Sequence, residues 1–236
     1  MALVELGPDI ALIAALIGEP SRALMLAALF RGALPAGELA FIGNIAPQTA
    51  SFHLRKLMDA SLIVVERRGK HSYYRLANES VAATLESLAA LAPKRDHASP
   101  DRHKSERMKQ LCFARSCYKH LAGSLGVQIL QTLLNRGTLV ADSDKTYRLT
   151  KPGEDWWLEF GMPAPRDFSS RACVDWTERR HHLGGALGGA LFSRLKEQRW
   201  IIPNPAGRTV RVTHLGACEL ERQLGITLPR STLGAL

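Results

Sequence analysis

Residues 47–76 restrict the possible folds of this chain more than any other stretch. They read PQTASFHLRKLMDASLIVVERRGKHSYYRL. Ala50, Leu54 and Leu57 fall at i, i+4 and i+7, the spacing of one apolar helical face. Pro47 suits the first turn of that helix, where its missing N–H costs no hydrogen bond. Gln48, Thr49, Ser51, Phe52, His53, Arg55 and Lys56 occupy its other faces. Residues 62–65 are apolar and rich in β-branched side chains, which favours a strand. A basic tip follows, Arg67, Arg68, Gly69, Lys70 and His71, and then a second strand-like run, 72–76, that includes Tyr73. The period changes from helical to extended in mid-stretch, so the segment reads as one helix followed by one hairpin.

Helix, strand, basic turn, strand is the order of a winged helix. A helix of this size fits the major groove of B-DNA, where polar side chains meet base edges. Basic residues on a hairpin tip meet phosphates instead. The expected division is base reading by Gln48, Thr49, Ser51, Phe52, His53, Arg55 and Lys56. Phe52 is suited to stacking or to a thymine methyl. Phosphate contact falls to Arg67, Arg68, Lys70 and His71, with Tyr73 beside them.

Charge agrees with this. The chain has 236 residues and a formal charge of +9, which favours an anionic partner. The distribution says more than the total. Residues 51–75 hold six Lys/Arg against two acids, whereas residues 1–50 hold two against four. No apolar run approaches the roughly 20 residues of a membrane span, and the first residues do not look like a signal peptide. A cytoplasmic protein is therefore expected, with no membrane partner. Its four cysteines, Cys112, Cys117, Cys173 and Cys218, are then thiols or ligands more often than disulfides.

In chain order, residues 9–17 form a short apolar helix. Glu19-Pro20-Ser21 opens a second, which stops near Gly32. Residues 35–43 form a brief third. Asn78 is a good N-cap for a helix running to about Leu91. This order resembles the ArsR-type (arsenical-repressor-like) winged helix-turn-helix regulators over roughly residues 10–92. Three stretches carry the resemblance: IGEPSRALMLAAL, APQTASFHLRKLMDASLI and RRGKHSYYRL. They match the family's opening of its second helix, its recognition helix ending HL-x-x-L, and its wing ending YY-x-L. The resemblance implies a homodimer built from the helices near 9–17 and 79–91. It also implies repression of an operator that an effector relieves. The chain departs from the family's two familiar metal sites. The helix before the reading helix, LPAGELAFIG, has neither cysteine nor histidine, and residues 79–92 carry only Glu79 and Glu86 as charged groups.

Residues 93–108 are charged, contain Pro93 and Pro100 and read as a linker, with a solvated helical extension of the dimer helix as the alternative. Beyond them the chain is similar to itself. His120 and His182 each open His-Leu-x-Gly-x-Leu-Gly, and Arg-x-Thr-x-x-Gly recurs at Arg148 and Arg211. Between these lies a helix to Arg136 or Arg199, then two strands, and a closing helix follows at 153–160 or 216–224. Duplication is the expected reading, with repeats at about 112–163 and 173–227. Each repeat is similar to a winged helix without a basic wing. The expected fold is mostly α with small β-hairpins (α+β). It comprises an N-terminal winged helix-turn-helix domain, 1–92, the linker, and an effector domain of two winged-helix-like repeats, 109–236.

Chemistry collects ahead of each repeat, in CFARSCYKH and CVDWTERRHH. Cys112 pairs with His120 and Cys173 with His181, each eight residues on. Cys117 and His120 read as i, i+3 on one helical face. Thiolates and imidazoles together suit a zinc-like metal, and exposed thiols suit redox sensing. A third reading is an organic or anionic effector held by Arg115, Tyr118, Trp176 and Arg179, with Asp175 and His182 nearby. A fourth is purely structural, with His120 and His182 capping helices. Which effector is sensed stays open. Trp156-Trp157 reads first as helical core and second as a stacking platform, and Cys218 reads as core. A DNA-binding regulator is expected, not an enzyme. Cys117 beside His120 as nucleophile and base is the catalytic alternative.

Overall fold

The computed structural model describes residues 10–92, 102–143, 145–229 and 232. The chain divides into two compact units, Met1–Val81 and Ala82–Leu236.

The first unit runs α1 (Ile10–Gly18), α2 (Pro20–Leu29), β1 (Leu34–Pro35), α3 (Ala36–Ile42), α4 (Pro47–Asp59), β2 (Ile63–Arg68) and β3 (His71–Leu76). The strands form an antiparallel sheet in the order β1-β3-β2. The expected face of α4 is inside, with Ala50, Leu54 and Leu57 buried alongside Met25, Leu26, Leu29, Leu39, Ile63 and Leu76. Gly69 sits at φ +60 at the first position of the two-residue turn between β2 and β3, a place that favours glycine. The segment Glu19-Pro20-Ser21-Arg22 is structural. The Glu19 carboxylate accepts from the Ser21 and Arg22 N–H groups at 3.0 and 2.7 Å, capping α2. Arg22 donates back to the Leu16 and Ala15 carbonyls at the end of α1 at 2.6 and 2.9 Å.

The helix α5 (Glu79–Leu91) begins in the first unit and continues into the second. The Asn78 side chain accepts from the Val81 N–H at 3.0 Å, as its N-cap role requires. The second unit continues with α6 (Arg102–Phe113), β4 (Arg115–Cys117), β5 (His120–Ala122), α7 (Ser124–Asn135), β6 (Leu139–Ser143), β7 (Thr146–Leu149) and α8 (Lys151–Glu159). Then come β8 (Ser169–Val174), β9 (His181–Leu183), α9 (Gly185–Glu197), β10 (Ile201–Pro203), β11 (Val210–Val212) and α10 (His214–Leu224). Strands β6-β7-β8-β9 form one antiparallel sheet, and β4-β5 and β10-β11 are separate hairpins. The core centres on α7 and α9, with Leu125, Ile129, Leu133, Leu187, Leu191 and Leu195 buried.

Three expectations change. Residues 102–108, read as linker, are the first turns of α6, whereas 93–101 lie outside the described residues. CFARSCYKH is not one helix: Cys117 and His120 face each other across a two-residue hairpin turn, with Tyr118 at φ +55. Cys218 is exposed on α10 rather than core. Trp157 follows its favoured reading. It is buried, and its Nε1–H donates to the Pro163 carbonyl at 2.9 Å, while Trp156 stacks on Phe160.

The glycines closing His-Leu-x-Gly-x-Leu-Gly have a packing reason. A Cβ on Gly126 would lie 2.5 Å from the Leu121 carbonyl oxygen, and one on Gly188 would lie 2.2 Å from that of Leu183. Each helix therefore folds back directly onto the strand before it. The Cβ of His182 lies 3.6 Å from the built Gly126 position, and that of His120 lies 3.1 Å from the Gly188 position. Each helix thus leaves room for the histidine that belongs to the other.

Candidate nucleic-acid interface and buried cysteine–histidine site

On α4, Gln48, Thr49, Ser51, Phe52, Arg55 and Lys56 are exposed, as are Arg67, Arg68, Lys70 and His71 on the hairpin, and Tyr73 is half-buried. Most of the expected reading face is open to solvent. The Lys56 ammonium lies 4.5 Å from the Phe52 ring centre, and the Ser51 hydroxyl donates to the Pro47 carbonyl at 3.0 Å. In the wing Arg68 pairs with Glu66 at 3.1 Å and lies over the Tyr73 ring. Hydrogen bonds from Arg75 and Arg68 hold the Glu66 carboxyl below the usual carboxylate range.

His53 leaves the reading face. It is 8% exposed, its Nδ1 lies 3.0 Å from Arg22 Nη1, and its Nε2 lies 3.7 Å from the Glu19 carboxylate. Position 53 is i+3 from Ala50, on the rim of the buried stripe, and the Glu19–Arg22 cap supplies the polar partners that allow an imidazole there. His53 therefore fastens α4 to α2.

In the second unit four donors converge. Cys117, His120, Cys173 and His182 are all buried, and their ligating atoms lie within 4.8 Å of one another. The Sγ atoms of Cys117 and Cys173 are 3.7 Å apart, and His182 Nε2 is 3.1 Å from His120 Nδ1. Two hairpins supply them in matching register, Cys117 opposite His120 and Cys173 opposite His182. The expected partnerships are corrected accordingly. Cys112 is half-buried on α6, and His181 contacts the Tyr147 hydroxyl at 3.1 Å instead. His120 and His182 lie in strands, and the N-cap positions of α7 and α9 are taken by Gly123 and Gly184.

A buried ion network flanks this site. Arg115 Nη2 lies 2.9 Å from Asp175 and 3.5 Å from Glu86 on α5, and Arg208 also pairs with Glu86. Asp175 accepts in addition from the Gly123, Thr177 and Glu178 N–H groups at 2.6, 2.9 and 3.0 Å. Burial pushes its carboxyl up, but Arg115 and these hydrogen bonds prevail and hold it at about 2. Burial, with Arg208 adding, lowers His120 to about 4. Burial first and His120 second push His182 well below its usual range. Both imidazoles are therefore neutral and have lone pairs to donate. Burial, with the Cys173 contact, raises the Cys117 thiol well above its ordinary value.

The anionic-effector reading loses its central cation. Arg115 is fully buried, spent on carboxylates, and stacked over Trp176 at 4.9 Å. Tyr118 is half-buried in the β4–β5 turn. Arg179 is exposed and donates to the Ala92 carbonyl at 3.0 Å. Sequence reading missed Glu86 and Arg208. The legible signal for Glu86 was the one charged residue of α5 beyond its first turn, four residues after Ala82.

Comparison with known proteins agrees with the first unit. The chain is 42% identical over 229 residues to the uncharacterized HTH-type transcriptional regulator YdfF of Bacillus subtilis (strain 168), covering 94% of this chain and 100% of that one. It is 28% identical over 90 residues to the biofilm growth-associated repressor of Agrobacterium fabrum, covering 38% of this chain and 77% of that protein. Among solved structures, NolR from Sinorhizobium fredii is 28% identical with a TM-score of 0.32, over 34% of this chain and 79% of that one. No family model matches the chain. The protein belongs to the HTH-type transcriptional regulators, and its N-terminal third resembles the ArsR-type members.

Proposed function

We propose that this regulator is a cytoplasmic, homodimeric repressor that binds a pseudo-palindromic operator. Residues 1–92 serve DNA binding and dimerisation, and residues 109–236 sense an effector. The observation that carries the DNA reading is the two-faced α4. Its apolar stripe is buried while Gln48, Thr49, Arg55 and Lys56 are exposed, and the exposed Arg67 and Lys70 follow on the wing. Exposed apolar side chains on α1 (Ile10, Leu12) and α5 (Leu88, Leu91) support the dimer. Half-sites then lie about one helical turn, roughly 34 Å, apart.

Two features of the second unit support a control role rather than catalysis. The succession β4-β5-α7-β6-β7-α8 is followed by β8-β9-α9-β10-β11-α10, which favours duplication of one module. The converging donors come one cysteine and one histidine from each of two hairpins and lie out of solvent. The effector chemistry this favours is a metal ion, because burial and the raised Cys117 thiol count against oxidation there.

Two variants test the DNA reading against a footprinted operator and random duplexes. The Arg67→Ala, Lys70→Ala double variant weakens binding to both duplexes and reduces the salt slope by about 2, because two phosphate contacts are gone. Gln48→Ala weakens operator binding by about 1–3 kcal/mol and leaves random-duplex binding unchanged, as loss of a base contact requires. Unaltered operator affinity in both variants would move the interface off α4 and its wing.

A further inference from the structure

We infer that Cys117, His120, Cys173 and His182 hold one tetrahedral metal ion of the zinc class. This deepens the effector reading and rests on it for regulatory meaning only. Occupancy is measured without DNA, so the two readings fail separately.

The spacing of the donors is the first support. An ion bound at about 2.3 Å from sulfur and 2.0–2.1 Å from nitrogen places paired sulfurs of a tetrahedron roughly 3.8 Å apart and paired nitrogens roughly 3.3 Å apart. The thiols here are 3.7 Å apart and the facing imidazole nitrogens 3.1 Å apart. All six separations lie within 4.8 Å, and all four side chains are buried. Four protein donors and no solvent-facing position describe a closed site rather than a catalytic one.

The second support is what these side chains do without an ion. Two imidazoles meeting nitrogen to nitrogen share at most one hydrogen bond. His182 Nδ1 is buried with no hydrogen-bond partner, an arrangement that costs free energy in a dry core. An ion accepting Nε2 of His182 turns that pair into ligands and leaves Nδ1–H facing Asp175, whose Oδ2 is 3.9 Å away. A carboxylate behind a ligating histidine is a common way to orient the ring. Asp175 is itself fixed by Arg115 and the Gly123 N–H.

The third support is chain topology. Each hairpin contributes one cysteine and one histidine in direct register, so an ion joins the hairpin before α7 to the hairpin before α9. The step is a ligand exchange with no redox change. Two imidazole lone pairs and two thiolates bind M²⁺, two thiol protons go to solvent, and the loaded site is electrically neutral.

The test is elemental analysis of the full chain, purified without added metal or a polyhistidine tag, together with cobalt(II) exchange into the wild-type protein. About one zinc-class ion per chain is expected. Cys117→Ser and Cys173→Ser lose it, Cys112→Ser and Cys218→Ser keep it, and cobalt protein shows the intense visible bands and thiolate charge transfer of a tetrahedral Cys/His site. If the serine variants of the quartet do not fold, the cobalt spectrum of the wild type alone decides. Metal-free folded wild-type protein that takes up no cobalt overturns the inference. So does an octahedral cobalt spectrum, or metal loss that follows Cys112.

Discussion

Replacing Asp175 with alanine lowers the stability of the second unit by about 3–5 kcal/mol, the range for breaking a buried pair and leaving one charge behind. Arg115 is fully buried, and Asp175 is its nearer carboxylate, at 2.9 Å against 3.5 Å for Glu86. Glu86 is also shared with Arg208, so it cannot neutralise both guanidinium groups. The same substitution strips acceptors from the Gly123, Thr177 and Glu178 N–H groups. All four tryptophans, Trp156, Trp157, Trp176 and Trp200, lie in the second unit. Denaturant unfolding followed by tryptophan emission therefore reports that unit alone. A loss under about 1 kcal/mol would mean that Arg115 reaches water or Glu86 suffices, and the network would not be what fixes the region between α5 and the cysteine–histidine site.

Gly188→Ala is expected to destabilise the second unit by about 1–3 kcal/mol or more, as overpacking does. The added methyl has no flexible neighbour to displace. It meets the Leu183 carbonyl oxygen at 2.2 Å and the Cβ of His120 at 3.1 Å. Either α9 lifts off β9 or His120 moves from the quartet. Gly189→Ala is the control, because its nearest atom is 3.8 Å away. It should be neutral or slightly stabilising, since alanine is the better helix former. Thermal unfolding followed by tryptophan emission separates the two. Equal midpoints would show that the helix–strand contact yields, and with it the packing reason for that glycine.

The first unit was legible because its signals are local. The stripe Ala50, Leu54, Leu57 and the switch to a β-branched run need only the helical and extended periods to be read. His53 escaped because its burial depends on Arg22, 31 residues earlier in the chain. From α4 alone an imidazole beside Phe52 belongs with the polar face. The hairpins β4-β5 and β8-β9 were missed for a related reason. Three of their four strands, β4, β5 and β9, have only three residues, too few to show a period against a helical reading.

The cysteine–histidine site divides along the same line. Its residue types and the recurrence at His120 and His182 are written in the sequence, as is the glycine that follows each histidine by six positions. Its membership is not. Cys117 and His120 are three residues apart while Cys173 and His182 are nine apart, yet both pairs are direct cross-strand partners. The β8-β9 loop is longer than the β4-β5 turn, so no single spacing finds both. By itself the sequence determined the winged-helix unit, its basic tip and a second half that resembles itself, because local periodicity and composition suffice for those. Only the tertiary structure decided which thiols meet which imidazoles, and that Glu86 and Arg208 stand behind them. Those contacts join residues up to 122 positions apart, and they are set by hairpin register and helix packing.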